Sequence, residues 1–143
     1  MCGIVGYAGK REALPILLSS LERVTYRGYD SYGVAVLNGQ GIKSFKRVGA
    51  VDTERALLPF TGTVGIGHTR WATVGAVSER NAHPHFDCTG QVALMHNGDI
   101  DNYREIKERL AGLGHKFASE TDSEVIAHLI ESHIRGGAEL VEA

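Results

Sequence analysis

Cysteine is scarce. Cys2 and Cys88 are the only two in 143 residues, so a disulfide framework is excluded. A surplus of one charge is also missing. Fifteen Lys and Arg stand against 17 Asp and Glu, for a formal net charge of −2. That balance argues against nucleic acid as the main partner, which calls for a basic face. No apolar run approaches the roughly 18 residues of a membrane-spanning helix. The opening Met-Cys-Gly-Ile-Val-Gly has neither a basic leader nor a signal-type apolar stretch. A cytoplasmic location with no membrane partner is the expectation. Metal-site spacings are absent as well: there is no Cys-x-x-Cys and no His-Glu-x-x-His. The seven histidines, at 68, 83, 85, 96, 115, 128 and 133, are expected in loops and on the surface, with no metal and no cofactor.

What is present is enough for one domain. A chain of this length buries about 68–70% of its unfolded surface and needs no covalent staples. Eighteen glycines fall singly between apolar runs, so they are not low complexity. Residues 4–8 are apolar and β-branched and read as a buried strand. Ala13, Leu14, Leu17, Leu18, Leu21 and Val24 recur at helical spacing, and Pro15 fits only in a first turn, so the helix begins near Glu12. Residues 32–37 and 42–48 read as a hairpin around Asn38-Gly-Gln-Gly41. A short helix is expected over 53–58, a strand over 63–69, a long functional connection over 71–90 and a buried strand over 92–96. Asn102 is placed to cap a helix over 103–110, ended by Gly112 and Gly114. Thr121-Asp-Ser-Glu124 has the form of a capping box leading into a second amphipathic helix, which Gly136-Gly137 ends. Residues 138–143 read as the opening of a further helix. Adjacent strands with segregated helices indicate an α+β fold rather than a doubly wound sheet.

Cys2 is the sharpest chemical feature. Removal of Met1 leaves a residue carrying both a thiol and an α-amine. The thiolate is the nucleophilic form. An α-amine with an ordinary pKa of about 7.7–8.0 is roughly one-tenth unprotonated at pH 7, enough to take the thiol proton directly or through one water.

Further segments add to it: Tyr26-Arg-Gly-Tyr-Asp-Ser31, Gly67-His-Thr-Arg-Trp-Ala-Thr73, Asn81-Ala-His-Pro-His85, His96-Asn-Gly98 and Ser119-Glu-Thr-Asp122. Together with Cys2-Gly-Ile-Val-Gly6, spread over residues 2 to about 130, this wording resembles the N-terminal-nucleophile, class II glutamine amidotransferase domain of the glucosamine-6-phosphate synthase (glutamine–fructose-6-phosphate aminotransferase) family. The resemblance implies an N-terminal-nucleophile hydrolase αββα sandwich. It implies Cys2 as nucleophile, with Asn97 and Gly98 as an oxyanion hole. It implies that Arg70 and Asp122 hold the carboxylate and ammonium of L-glutamine, that Trp71 and Thr73 belong to a covering loop, and that Arg27 and His83 support the nucleophile. The chemistry agrees with these roles. A guanidinium fork matches a carboxylate, and the loss of one oxyanion donor costs about 3–4 kcal/mol of barrier. Neither Arg27 nor His83 is expected to transfer a proton.

Three departures from the family pattern stand out. Val74 occupies a position where histidine is common, and Asp99 and Asp101 stand where an apolar residue and a glutamate are expected. The family's glutaminase domain continues beyond 143 residues and is followed by isomerase domains. The expectation is therefore an incomplete sandwich over residues 1–143, self-association, and a homo-oligomer in the complete enzyme. The alternatives are an amidophosphoribosyltransferase-like or glutaminase-only relative, an inactive glutamine-binding module, and a fragment with no ligand.

Overall fold

In a computed structural model of the chain, residues 2–27, 29–54 and 59–142 are described. Strand β1 (Gly3–Ala8) leads into helix α1 (Ala13–Val24) and a single 3₁₀ turn (Thr25–Arg27). Strands β2 (Ser31–Asn38) and β3 (Gly41–Val48) form the expected hairpin, with Asn38 opposite Gly41. Strand β4 (Val64–Arg70) inserts between β1 and β2, giving an antiparallel sheet of order β1-β4-β2-β3.

The two faces of this sheet follow from strand alternation. Tyr32, Val34 and Val36 of β2 point to one side, where Leu14, Leu17, Leu18 and Leu21 of α1 cover them. All seven are essentially out of solvent. Each leucine so buried contributes about 1.5–3 kcal/mol. The helix starts where expected: the N–H of Ala13 donates to Gly62 C=O at 2.7 Å, and the Glu12 carboxylate accepts the Gly62 N–H at 2.8 Å.

The opposite face meets a second layer. Strands β5 (His85–Phe86) and β6 (Ala93–Leu94) pair with each other, and helices α2 (Tyr103–Gly112) and α3 (Glu124–Arg135) follow. Helix α3 packs on β5 and β6. The layers join through stacked imidazoles: His68 of β4 lies 4.1 Å from His83, and His83 lies 4.4 Å from His85 of β5. The approach is so close that a Cβ on Gly33 would sit 2.1 Å from the carbonyl oxygen of His83. The order is helix, four-stranded sheet, two-stranded sheet, helices, an α+β arrangement.

Several expectations need correction. The connection over 71–90 contains β5, and the strand expected over 92–96 shrinks to Ala93–Leu94, half-buried. The Asp87 carboxylate takes the Val92 N–H at 2.9 Å, which holds Val92 in the turn before β6. The capping box does not form. Helix α3 begins at Glu124, whose carboxylate instead accepts the N–H groups of Ala118 and Ser119, each at 2.7 Å, and the Ser119 hydroxyl at 2.6 Å. The Asn102 side chain makes no capping bond. Residues 138–142 form turns, not a helix. The histidines are not surface residues in the main: His68, His83, His85, His115 and His128 are buried. The helix expected over 53–58 falls largely on residues 55–58, outside the described residues.

Candidate active site

Register positions Cys2. Gly3 pairs with Thr69, so Cys2 comes to the end of β4 beside Arg70 and Trp71. The Cys2 sulfur accepts the Trp71 N–H at 3.2 Å and lies 3.6 Å from the Trp71 carbonyl oxygen. The Thr69 hydroxyl accepts the Gly3 N–H at 3.1 Å and fixes the start of the strand.

In front of the sulfur lies a cavity of about 230 Å³ lined by Cys2, Arg27, Thr73, Asn97, Gly98 and Asp99. A second, narrower cavity shares Cys2, Thr73 and Gly98 and adds Arg70, Trp71, His83, His96 and Asp122 to its lining. All nine residues singled out in the sequence therefore line one or both cavities, although they come from the residue before β1, the 3₁₀ turn, β4, the 71–76 loop, the segment before β5, the segment after β6 and the approach to α3.

Asn97 is oriented from both ends. Its Oδ1 lies 2.9 Å from His68 Nε2, and its Nδ2 donates to the Cys2 carbonyl at 3.3 Å. Gly98 has φ of +145°, a conformation glycine tolerates readily, and a Cβ there would meet the His96 ring at 3.0 Å. Burial pushes the His68 pKa down to about 4, outweighing the hydrogen bond to Asn97 that raises it. A neutral His68 donates through Nε2, which fixes the amide so that its N–H₂ group faces Cys2.

Arg70 is 4% exposed. Its guanidinium donates to the carbonyls of Val74, Gly75 (3.3 Å) and Ala76 (3.4 Å), so it anchors the loop. Three bonds from five N–H groups leave two for a ligand. Burial lowers its pKa, and Cys2, Asp30 and Asp122 counteract that. Asp122, also buried, accepts the Ile100 N–H at 2.9 Å. The cavity thus has a cationic group and an anionic group on its wall.

Trp71 is 53% exposed and stands on the rim. Thr73 donates to Asp99 at 3.4 Å, so Asp99 faces the cavity; Asp101 is exposed and lines neither cavity. His83 is buried between two imidazoles, and that burial pushes its pKa far below the ordinary histidine range, so it stays neutral. Sequence reading missed His68 and Asp30. His68 sits two residues before Arg70 on one strand, hence on the same face, and this period-two relation was the available signal. Asp30 accepts the Ala72 N–H at 3.0 Å and ties the loop to β2; its place in the segment Tyr26-Arg-Gly-Tyr-Asp-Ser31 was the available signal.

Comparisons with known proteins identify the family and the fold. The family described as glutamine amidotransferase domain matches residues 57–143. The chain is 55% identical over 137 residues to a glutamine–fructose-6-phosphate aminotransferase (isomerizing) of Chlorobaculum tepidum, covering 92% of this chain and 22% of that protein. It is 52% identical to the protein of that name from Thermus thermophilus, over 100% of this chain and 24% of the relative. The chain therefore spans about a quarter of the length of these relatives. Among solved structures, the glutamine phosphoribosylpyrophosphate amidotransferase of B. subtilis, complexed with ADP and GMP, superposes with a TM-score of 0.75 at 29% identity, covering 92% of this chain and 29% of that one.

Proposed function

The chain belongs to the glutamine amidotransferase domain family and has the N-terminal-nucleophile hydrolase fold, and from that premise we propose that its cavity hydrolyses the side-chain amide of L-glutamine. The observation that carries the proposal is the convergence of Cys2, Asn97 and Gly98 on one cavity whose adjoining pocket holds Arg70 and Asp122.

Arg70 and Asp122 read the two ends of the free amino acid, carboxylate and ammonium, which selects against a peptide. The Cys2 thiol gives its proton to the α-amine freed by removal of Met1. The thiolate attacks the amide carbon. The developing oxyanion takes N–H donors from Asn97 Nδ2 and the Gly98 backbone. The tetrahedral adduct collapses as the ammonium protonates the leaving nitrogen; ammonia departs and a γ-glutamyl thioester remains. The amine then removes a proton from water, which attacks the thioester. Glutamate leaves and the thiol is restored. Trp71 and Thr73, on the rim, close over the substrate and keep bulk water out. His83, held neutral, transfers no proton.

In the longer relatives the activity named is an amino transfer to fructose 6-phosphate, and we extend it to this chain's complete form. Ammonia would pass to isomerase domains and yield glucosamine 6-phosphate within a homo-oligomer. The alternative, an amidophosphoribosyltransferase-like acceptor, draws on structural neighbours at 29% identity, against 55% for the first reading.

The test is labelling with a glutamine analogue bearing an electrophilic ketone, followed by peptide mapping. The label is expected on Cys2, and Cys2→Ala is expected to reduce glutamate release to background. Label on Cys88, or substantial turnover in Cys2→Ala, overturns the proposal. Mass spectrometry of the N-terminus belongs with this test, because a chain retaining Met1 has an amide where the base is needed and is expected to be inactive.

A further inference from the structure

Away from the cavity, four side chains of metal-ligating type converge: Cys88 after β5, His115 after α2, and His128 and Glu131 on α3. Their donor atoms all lie within 4.8 Å of one another. His115 Nδ1 and His128 Nδ1 are 3.3 Å apart. The Cys88 sulfur is 3.6 Å from His128 Nδ1 and 3.9 Å from His115 Nδ1. Glu131 Oε2 is 2.9 Å from His115 Nδ1 and 3.3 Å from His128 Nδ1.

These five of the six donor–donor distances are close to the edge lengths of a tetrahedron around a metal ion, and the sixth, between Cys88 and Glu131, is within 4.8 Å. With metal–nitrogen and metal–oxygen bonds of about 2.0–2.1 Å and a metal–sulfur bond of about 2.3 Å, tetrahedral geometry sets donor–donor distances of about 3.3–3.6 Å. Three of the five distances above fall at 3.3–3.6 Å, and the other two are within about 0.4 Å of that range. We propose that Cys88, His115, His128 and Glu131 form a four-coordinate site for a divalent transition metal, zinc by the chemistry of its ligands, outside the glutaminase cavity. This departs from the expectation of no metal. The ligand positions 88, 115, 128 and 131 have none of the short spacings that mark a zinc site in sequence.

The surroundings are those of a ligand set rather than an ordinary hydrogen-bond cluster. Two imidazole nitrogens face each other at 3.3 Å, where without a cation only one can donate to the other. Coordination through Nδ1 puts the His128 proton on Nε2, and Nε2 lies 3.7 Å from the Glu124 carboxylate. That Nε2 is buried and makes no hydrogen bond. A carboxylate behind a ligating histidine is a recurrent device for orienting the ring. The Cys88 sulfur accepts the Lys116 N–H at 3.3 Å, which suits a thiolate. Glu131 accepts the Cys88 N–H at 3.1 Å through Oε2, while its Oε1 pairs with Arg135 at 2.5 Å. A thiolate, a carboxylate and two neutral imidazoles together carry −2, which a divalent cation balances. Borderline-soft sulfur and imidazole donors favour zinc over magnesium or calcium. Four protein ligands leave no open position, so the site is structural. It would pin the β5–β6 turn and the α2–α3 link onto α3, the helix that Asp122 leads into. Cys88 is exposed, which gives the metal an entry path.

The test is metal binding by the whole chain under reducing conditions, read by elemental analysis after removal of unbound metal, and by optical spectroscopy with cobalt(II) in place of zinc. One metal per chain is expected, with a thiolate-to-cobalt charge-transfer band and the intense visible bands of a tetrahedral site. Cys88→Ser, a change at an exposed position, is expected to abolish the charge-transfer band and weaken binding at least tenfold. Glu124→Gln is expected to weaken it by about 10–100-fold through the His128 ring. Cys2→Ser is expected to bind as the parent does, which separates this site from the proposed nucleophile. Substoichiometric metal in the parent chain, an octahedral cobalt spectrum, or undiminished binding by a folded Cys88→Ser variant overturns the proposal. None of these outcomes depends on glutamine turnover.

Discussion

On the α1 side of the four-stranded sheet, Tyr32, Val34 and Val36 meet four leucines in a wholly apolar contact. On the other side, one residue along each strand, His68 stacks on His83, which meets His85, with Ser31 and Arg70 on the same face, and this side is just as dry. The difference lies in how each face tolerates change. Apolar packing is non-directional and is lost in proportion to area and cavity. Buried polar groups are held by individual bonds, so each has a specific geometry and an uncompensated cost if its partner goes. One face gives stability; the other spends some of it to hold Cys2, Asn97 and Arg70 in place.

Paired substitutions separate the two. Asn97→Ala removes an oxyanion donor in the proposed mechanism and is expected to lower kcat for glutamine hydrolysis by about 10²–10³-fold, close to 3–4 kcal/mol of barrier. The denaturant midpoint is expected to shift far less. Leu17→Ala, on the other face, is expected to cost about 2–5 kcal/mol of stability with kcat per folded molecule nearly unchanged. Steady-state kinetics and equilibrium unfolding on both variants check the pair. A Leu17→Ala enzyme that is fully folded but catalytically impaired would show that the faces are not independent.

The apolar face was legible in the sequence because periodicity reports it. Leucines at 14, 17, 18 and 21 and alternating Tyr32, Val34 and Val36 each point one way. The cavity residues were legible through their motif wording, because a local segment such as His96-Asn-Gly98 keeps its order in the fold. The polar layer was not. His68 reaches the stacked His83 and His85 from a second, distant segment, and Cys88, His115 and the pair His128 and Glu131 meet from three. No pattern within a window of ten residues encodes either meeting. The same reason explains the capping errors. Thr121 and Glu124 have the spacing of a capping box, but Thr121 bonds His85 at 3.0 Å and Glu124 reaches back to residues 118 and 119, so tertiary partners outcompete the local one.

Acid should expose the polar face first. Burial pushes His68 to a pKa of about 4 and His85 to about 3, with His83 lower still. Arg70 depresses all three, and Lys46 depresses His83 and His85; Glu124 partly opposes the effect on His85. In the unfolded chain these groups titrate near about 6.5. Below that pH the unfolded state takes up protons that the fold refuses, so stability falls by about 1.4 kcal/mol per pH unit for each such histidine. The fall from His68 ends near pH 4, where it protonates in place. Glu124 adds a later loss of the same sign. Burial pushes its carboxyl up, but the nearby His128 ring, the Ser119 hydroxyl and the N–H groups of Ala118 and Ser119 outweigh that and hold its pKa at about 2. Its contribution is complete above its ordinary 4.5 and is lost on the way down to about 2. Unfolding midpoints at pH 7.5, 6 and 5 are expected to decline steadily; a flat profile would mean the three imidazoles are charged or hydrated.

The smallest effect discriminates between the two kinds of helix start in the polar layer. Glu124 opens α3 with three short bonds, whereas Asn102 precedes α2 with none from its side chain. A working Asn cap costs about 0.5–2 kcal/mol when replaced by alanine. Asn102→Ala is expected to change stability by less than about 0.5 kcal/mol, as for an exposed surface substitution. Its Cα position still matters, because the Asn102 carbonyl accepts the Ile106 N–H at 3.2 Å, and alanine keeps that bond. A loss near 1 kcal/mol in urea unfolding would show that the Asn102 side chain caps α2 in solution, and that local sequence preference governs this helix start where it fails at α3.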